Sequence, residues 1–559
     1  MKRDLKTLAA EMFDLVVVGG GVNGLAIARD AALRGLAVAL VERDDFGAGN
    51  SSNSLKIIHG GLRYLQHLDF RRMRESIRER RILLATAPHL VKPLGFLLPT
   101  HGYGLHGRLA MGVALAMNDL VGWDRDATTD PERRLPRGRI LSSSRCRELV
   151  PMGLPANCTG GALWYDAQML DSERLLVSMA ESASAAGAVL ANHAPVRGLL
   201  RRQGKIVGVT AEDGETGDQF PVLGRLTVNA AGACLDSILQ LDPEIRATPQ
   251  PLSVAMNLVV KRPLLGNVGL AVSTAMGAPD PEARARRKDR MLFITPWRQG
   301  SLIGTFHLPY TGPPEEFRFS RYHLDSFLQE VRTAMPWAEL SEGDIGLVHA
   351  GLLPSVSTGG DGNHAILATR PRIIDHAHLH GQPGLLSVMG VKWTTARDLA
   401  CKTVNTVFRI LGEKPAPCLT AKTPLPGGEI DNMSSFLATE QSWARCQGWS
   451  GTTARRLAER YGTRWRLVAA SASEFLEPLA PGSQVLGAEA TFAVRHEMAL
   501  NLVDLVRRRT DMGTAAAPGA EELKAAATIM AEQLGWSPER MGREIAAVQA
   551  LYAFPAVTP

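Results

Sequence analysis

The chain has 559 residues, 45% of them hydrophobic and 21% charged, with a formal net charge of +6. These figures exclude a collagen-like, disordered or polyionic protein and leave enough apolar residues for two or three domains. The N-terminus lacks the apolar run and small-residue cleavage site of a secretory leader, and no apolar run reaches the ~18 residues of a membrane span, so a cytoplasmic location is expected. The six cysteines, at 146, 158, 234, 401, 418 and 446, form no C-x-x-C pair, which argues against zinc, iron–sulfur or a disulfide framework. No metal is expected, and no nucleic-acid motif or internal repeat is found.

The segment DLVVVGGGVNGLAIARDAALRGLAVALVER, residues 14–43, opens with Leu15 to Val18, a β-branched run suited to a buried parallel strand. Gly19-Gly20-Gly21-Val22-Asn23-Gly24 follows as a G-x-G-x-x-G. A helix then places Leu25, Ala28, Ala32 and Leu33 on one face, and a second strand ends in Glu42. Gly19 permits the tight turn, Gly21 lets a pyrophosphate approach the backbone, and Gly24 lets helix and strand pack closely. The helix N-terminus adds amides and partial positive charge, and Glu42 is placed for a ribose hydroxyl. The acid favours a dinucleotide without a 2'-phosphate. A single fingerprint with no second nucleotide unit favours FAD over NAD, with electrons taken directly from substrate.

Next comes SSNSLKIIHGGLRYL, residues 51–65, crowded with hydroxyls, cations and glycines. It reads as a clamp in which Ser51, Ser52 and Ser54 meet phosphate and ribityl oxygens while Gly60 and Gly61 pass close to the flavin ring. The alternative is that the serines merely cap the following helix. RRMRESIRERR (71–81) and the apolar GRLAMGVALAMNDLVGW (107–123) form either a face that docks on anionic lipid or a solvated helix followed by a core helix. Alternating patterns over 249–265 and 290–312 predict strands of a substrate-binding sheet. Pro424 to Asp431 reads as a linker, and SGTTARRLAERYG (450–462), 488–510 and 518–534 read as helices.

SSNSLKIIHGGLRYLQH resembles the corresponding segment of the FAD-dependent (aerobic, quinone-linked) glycerol-3-phosphate dehydrogenases. The likeness continues in LTVNAAGACLD (226–236), TPWRQGSLIGTFH (295–307), LLSVMGVKWTTARDLA (385–400) and RHEMALNLVDLVRRRTDMG (495–513). The resemblance implies an α/β fold: a Rossmann-like FAD domain with an inserted antiparallel substrate-binding sheet, plus a C-terminal α-helical domain. It implies an oxidoreductase over 1–424, with FAD-binding parts 1–90, 145–245 and 345–424 and substrate-binding parts 91–144 and 246–344, then a helical domain over 432–559.

The family oxidises a secondary alcohol: hydride leaves carbon for the flavin while a base takes the hydroxyl proton. The resemblance therefore implies noncovalent FAD, sn-glycerol 3-phosphate or a related polyol phosphate as substrate, and quinone or oxygen as acceptor. A membrane surface and a homodimer are further expected associations. Implied cofactor contacts are Gly19, Gly21, Val22, Asn23, Gly24, Glu42, Arg43, Ser51, Ser52, Ser54, Leu55, Val196, Ala231, Gly232, Gly390, Thr394 and Thr395. Thr394 and Thr395 read as caps of a helix whose N-terminus steadies the reduced flavin, with Lys392 at its tip. His59 is the expected base, with an orienting role as alternative, and His307 is a second candidate where the family has an acid. Arg63 is the expected phosphate anchor, and Tyr64 beside it either packs or hydrogen-bonds.

Where the family's G-x-R-P arginine belongs, this chain has Leu353, and Val391 and Cys234 also depart from the pattern. Either Arg370, Arg372 or Lys392 compensates, or the pocket is recut for another polyol, hydroxy acid or amine. A flavin-binding, membrane-associated protein without turnover is the reading from a different class.

Overall fold

The computed structural model describes residues 1–102, 107–127, 130–154, 157–246, 249–274, 290–358, 365–472 and 476–554. Strand Met12–Val18 forms where Leu15, Val16 and Val17 are all fully buried, a pattern that only a strand covered on both faces satisfies. It pairs in parallel with Val38–Val41 on one side and Gln219–Asn229 on the other. The sheet continues to Val189–Ala191 at one end and to Leu385–Met389 and the antiparallel Arg372–Asp375 at the other. A hairpin, Val196–Arg202 and Lys205–Glu212, adds to the flank of Gln219–Asn229. Helices Val22–Leu33, Ser172–Ala185 and Ala396–Leu411 cover one face, joined to the sheet through Leu25, Leu176, Val404 and Val407.

A second sheet runs, edge to edge, through Ala365–Leu367, Ile345–Thr358, Leu252–Val260, Gly300–Tyr310, Arg290–Trp297, Val268–Thr274, Val91–His101, Cys158–Met169 and Ile57–Ile58. Helix Arg321–Ala334 packs on it, with Phe327 stacked on Phe306 at 4.9 Å between centroids. The strand pairing departs from the sequence reading in two ways. Cys158–Met169 and Ile345–Thr358, expected in the nucleotide-binding part, belong to this sheet through their ladders to Val91–His101 and Leu252–Val260. The sheet is also mixed, because Val268–Thr274 runs parallel to Val91–His101.

The C-terminal region is helical around fully buried Trp465, which Trp443 and Trp449 meet edge-on at 5.5 and 5.9 Å. The continuous helix expected over 488–510 is broken. Gly487–Glu497 ends at Met498 with φ +56°, and the chain re-enters through Leu502–Asp504 into a π turn, Leu505–Arg509. The break turns Arg508 and Arg509 onto Asp45, whose buried carboxylate receives Arg509 Nη1 at 2.6 Å and Nη2 at 2.8 Å. Arg174 to Glu497, at 2.7 Å, is a second buried tie between the regions. Removing one partner from such a pair costs ~3–5 kcal/mol, so these contacts hold the helical domain against the nucleotide-binding sheet.

Candidate active site

Three segments distant in sequence meet at the turn after the first strand. Gly19, with φ +104°, packs so tightly that a Cβ would lie 2.8 Å from Ala230 O, and one on Gly24 would lie 1.8 Å from Gly19 O. These glycines are fixed by backbone against backbone. Gly21, the N-cap of Val22–Leu33, is different: a Cβ there would meet only Ser51 Oγ at 3.2 Å, so its outer face is open. Ser51 Oγ accepts from Val22 N at 2.9 Å, and Ser51 O accepts from Trp393 Nε1 at 2.8 Å. Gly390 lies directly against the Asn23 amide, whose buried Oδ1 has no partner among the described residues. An open glycine face, a helix N-terminus and an unsatisfied acceptor make a cradle that fits a dinucleotide pyrophosphate.

Other expected contacts are placed less simply. The Glu42 carboxylate accepts from the amides of Gly20 and Asp44, so it braces the glycine turn from below; burial raises its pKa. Ser52 is buried and donates to Gly47 O at 2.8 Å, which turns its hydroxyl away from any ligand. Ser54 Oγ accepts from Lys56 N, and Leu55 packs with Trp297. Arg43 is half-exposed and bonds Asp44. Val196 begins the hairpin opposite Ala211 and packs under the sheet. Ala231 and Gly232 form the turn after Asn229, where Ala231 N donates to Asn229 Oδ1 and Gly232 has φ +63°.

Beyond the cradle, His59, Arg63, Tyr64, Arg72 and Lys392 converge. Asp166, buried, holds Gly60 N and pairs with Arg80, which fixes the loop carrying His59. Here Gly60 and Gly61 have a different explanation from the one expected. A Cβ on Gly60 would meet Arg80 Nη1 at 2.3 Å, and Gly61, at φ +83°, lies on the Tyr64 ring. His59 N donates to Thr394 Oγ1 at 3.3 Å, and its ring stands edge-on to Tyr64 at 6.2 Å. Burial, with the charge of Lys392 second, pushes His59 down to about 4, so the imidazole is neutral and able to accept a proton. Thr394 therefore holds His59 rather than capping a helix. Thr395 occupies the N-cap of Ala396–Leu411 without a side-chain cap bond.

Lys392 Nζ donates to Tyr64 OH and sits 4.2 Å from the ring centroid. Arg72 covers the ring at 5.2 Å, with its Nε on Asp69 at 2.6 Å. Burial, then the charges of Arg72 and Arg63, pushes Lys392 down to about 8, and burial pushes Tyr64 up to about 12. Two cations thus sit on one phenol, the exposed Arg63 is close enough to add its charge, and Asp69 is the near counter-charge, a surplus suited to an anion. Sequence reasoning missed Arg72. The available signal was its position as the third residue of helix Phe70–Thr86, just past the bend at Leu68 that follows Arg63 and Tyr64.

Arg370 reaches the rim at 3.7 Å from Asp69 and is 70% exposed, whereas Arg372 lies on the edge strand opposite Met389. Leu353 is in the second sheet opposite Ser253. His307 lies in that sheet opposite Ala255, two residues past Thr305, whose hydroxyl donates to Asn257 Oδ1 at 2.9 Å.

A parallel sheet with a glycine cradle, joined to a second sheet beside a cationic cluster, is the architecture of the FAD-dependent oxidoreductases. Residues 14–397 match the family described as FAD dependent oxidoreductase, and residues 418–541 match the C-terminal domain of alpha-glycerophosphate oxidase. The chain is 32% identical over 555 residues to a glycerol-3-phosphate dehydrogenase of Synechocystis sp., covering 97% of each. It is 30% identical to the mitochondrial glycerol-3-phosphate dehydrogenase of Mesocricetus auratus, over 95% of this chain and 72% of that one. The glycerol-3-phosphate dehydrogenase from Bacillus halodurans, solved with FAD, superposes with a TM-score of 0.75 at 25% identity, covering 98% of this chain and 95% of that one. The chain belongs to the FAD-dependent glycerol-3-phosphate dehydrogenase family.

Proposed function

We propose that the protein oxidises the secondary alcohol of sn-glycerol 3-phosphate, or a closely related polyol phosphate, to the ketone. The observation that carries this reading is the cluster of Arg63, Arg72 and Lys392 around Tyr64, next to a neutral His59. Gly19, Gly21, Val22, Asn23, Gly24, Ser51 and Gly390 are assigned to holding FAD, without a covalent link. Bound FAD supplies the two-electron acceptor for the hydrogen on the carbinol carbon. Arg63, Arg72 and Lys392 hold the phosphate, which fixes which carbon faces the cofactor. His59 takes the hydroxyl proton at its ring nitrogen, and Thr394 holds the His59 backbone so that the ring stays aimed. Arg72 takes over the duty that Leu353 cannot perform, since a leucine offers no donor to a phosphate.

The test is anaerobic mixing of the yellow holoenzyme with glycerol 3-phosphate, beside erythritol phosphate, glycerol and simple hydroxy acids. Bleaching by the phosphorylated polyols alone is expected. Bleaching by an unphosphorylated alcohol at equal efficiency would overturn the phosphate assignment. We assign the onward acceptor as quinone, or oxygen if turnover consumes oxygen and releases peroxide.

No described helix is long and apolar enough to cross a membrane. We further propose that helix Arg108–Val121 lies on a membrane surface. Leu109, Val113, Leu120 and Trp123 are 85, 56, 75 and 78% exposed, and only Leu115 is buried along it. The arginine run at 71–81 contributes little to this face. Arg74 and Arg81 bind Asp124, Arg78 binds Asp398, and Arg80 binds Asp166. Sedimentation with vesicles should therefore change little with salt. Loss of binding in Trp123→Ser and Leu120→Ser supports the proposal, and a dimer that dissociates in those variants would assign the face to a second copy instead.

A further inference from the structure

Two half-buried cysteines meet away from the active site, beside Asp30 and Arg34 at the C-terminal end of helix Val22–Leu33. Cys401 is in the second turn of helix Ala396–Leu411, and Cys418 lies in the irregular segment leading to the C-terminal domain. Their sulfurs and a carboxylate oxygen of Asp30 all lie within 4.8 Å of one another. Each sulfur has an arginine donor. Arg34 Nη2 is 3.3 Å from Cys401 Sγ, and Arg397 Nη1 is 3.5 Å from Cys418 Sγ. Thr420 Oγ1 adds a contact to Cys418 at 3.1 Å. Both guanidiniums are held from behind: Arg34 forks onto Asp30 at 2.6 and 3.1 Å, and Arg397 forks onto Glu79 at 2.6 and 2.7 Å.

We propose that Cys401 and Cys418 form a peroxide-responsive dithiol, in which Cys418 is oxidised first and Cys401 resolves it to a disulfide. Fixed positive charge at a half-exposed sulfur with a second thiol in contact is the arrangement that makes a cysteine both reactive and reversible. The environment splits the two thiols accordingly. The hydrogen bond from Cys401, followed by that from Thr420, pushes Cys418 down to about 3, and the same shared bond pushes Cys401 up. Burial, then the charge of Cys418, pushes Asp30 up to about 7.

The chemistry balances with hydrogen peroxide as oxidant. The Cys418 thiolate attacks one peroxide oxygen, the O–O bond breaks, and hydroxide leaves, giving a sulfenic acid. Cys401 sulfur then attacks Cys418 sulfur; the S–S bond forms, the S–O bond breaks, and the Cys401 proton departs with that hydroxyl as water. The two thiols lose two electrons and the peroxide gains them. Oxidation would remove the sulfur charge facing Arg397, which also grips Glu79 on helix Phe70–Thr86, the helix that carries Arg72.

The test treats the FAD-loaded wild type, Cys401→Ser and Cys418→Ser with hydrogen peroxide and reads the cysteines by mass spectrometry. Exposed Cys446 serves as the internal reference. The expected result is a dithiothreitol-reversible link between the Cys401 and Cys418 peptides in the wild type. Dimedone should trap a sulfenic acid at Cys418 in Cys401→Ser. Peroxide that oxidises Cys446 while leaving both other thiols intact would overturn the proposal. So would a sulfenic acid formed only at Cys401, or a tightly bound zinc that protects both sulfurs.

Discussion

The glycine turn at 19–24 and the cationic cluster around Tyr64 line the same site but are assembled in opposite ways. The turn is six consecutive residues whose outer glycines, Gly19 and Gly24, are fixed backbone to backbone, such as the 1.8 Å that a Cβ on Gly24 would leave to Gly19 O. The cluster draws Arg63 and Arg72 from either side of one bend and Lys392 from a loop more than three hundred residues on. The first is rigid because no side chain fits at Gly19 or Gly24. The second is tuned: Asp69 holds Arg72 and Tyr64 holds Lys392, and each cation contributes a share of the field.

That contrast is sharpest under substitution of the turn. Gly24→Val should give protein that is largely insoluble or colourless, since overpacking of ~1–3 kcal/mol or more falls on backbone that cannot move aside. Gly21→Ala should keep its melting temperature within a few degrees yet lose FAD, read as the ratio of flavin to protein absorbance. An alanine at 21 that stays fully yellow would break the assignment of its open face to the pyrophosphate.

In the cluster, Arg72→Ala should raise KM for glycerol 3-phosphate about 10- to 100-fold, the equivalent of ~1.5–3 kcal/mol for one charge-assisted contact. The effect on kcat should be smaller, and Arg72→Lys should recover part of the loss. An unchanged KM would remove Arg72 from the anchor. The next effect is one of pH. Lys392, lowered to about 8, is charged below that pH and neutral above it, so kcat/KM should fall as pH rises through 8. Lys392→Arg, which stays charged, should flatten that limb. His59, near 4, is neutral over the same range and adds no inflection there. The smallest effect belongs to the rim: Arg370→Ala should change KM about two- to fivefold, as expected of an exposed pair, and Arg372→Ala not at all. A larger loss at Arg372 than at Arg72 would reverse the order of the anchor.

The cradle was legible in the sequence because its chemistry is local. A strand, three glycines and a helix start must be contiguous for the backbone to approach a phosphate, so spacing alone identifies them. Family resemblance added the FAD domain, the helical C-terminal region and the segment carrying His59, Arg63 and Tyr64. Even within the motif, side-chain direction was not legible. Ser52 turns to Gly47 O and Thr394 to His59 N, because each hydroxyl takes a backbone partner that only the folded chain brings beside it. The tertiary structure alone decided which sheet holds Cys158–Met169 and Ile345–Thr358, where helix 488–510 breaks so that two arginines reach Asp45, and which arginines on 71–81 are already neutralised by acids from elsewhere. It also decided that Arg72 faces Tyr64 and that Cys401 meets Cys418. The physical reason is common to all of these: charge and hydrogen-bond partners are chosen by distance in space, and the sequence records only distance along the chain.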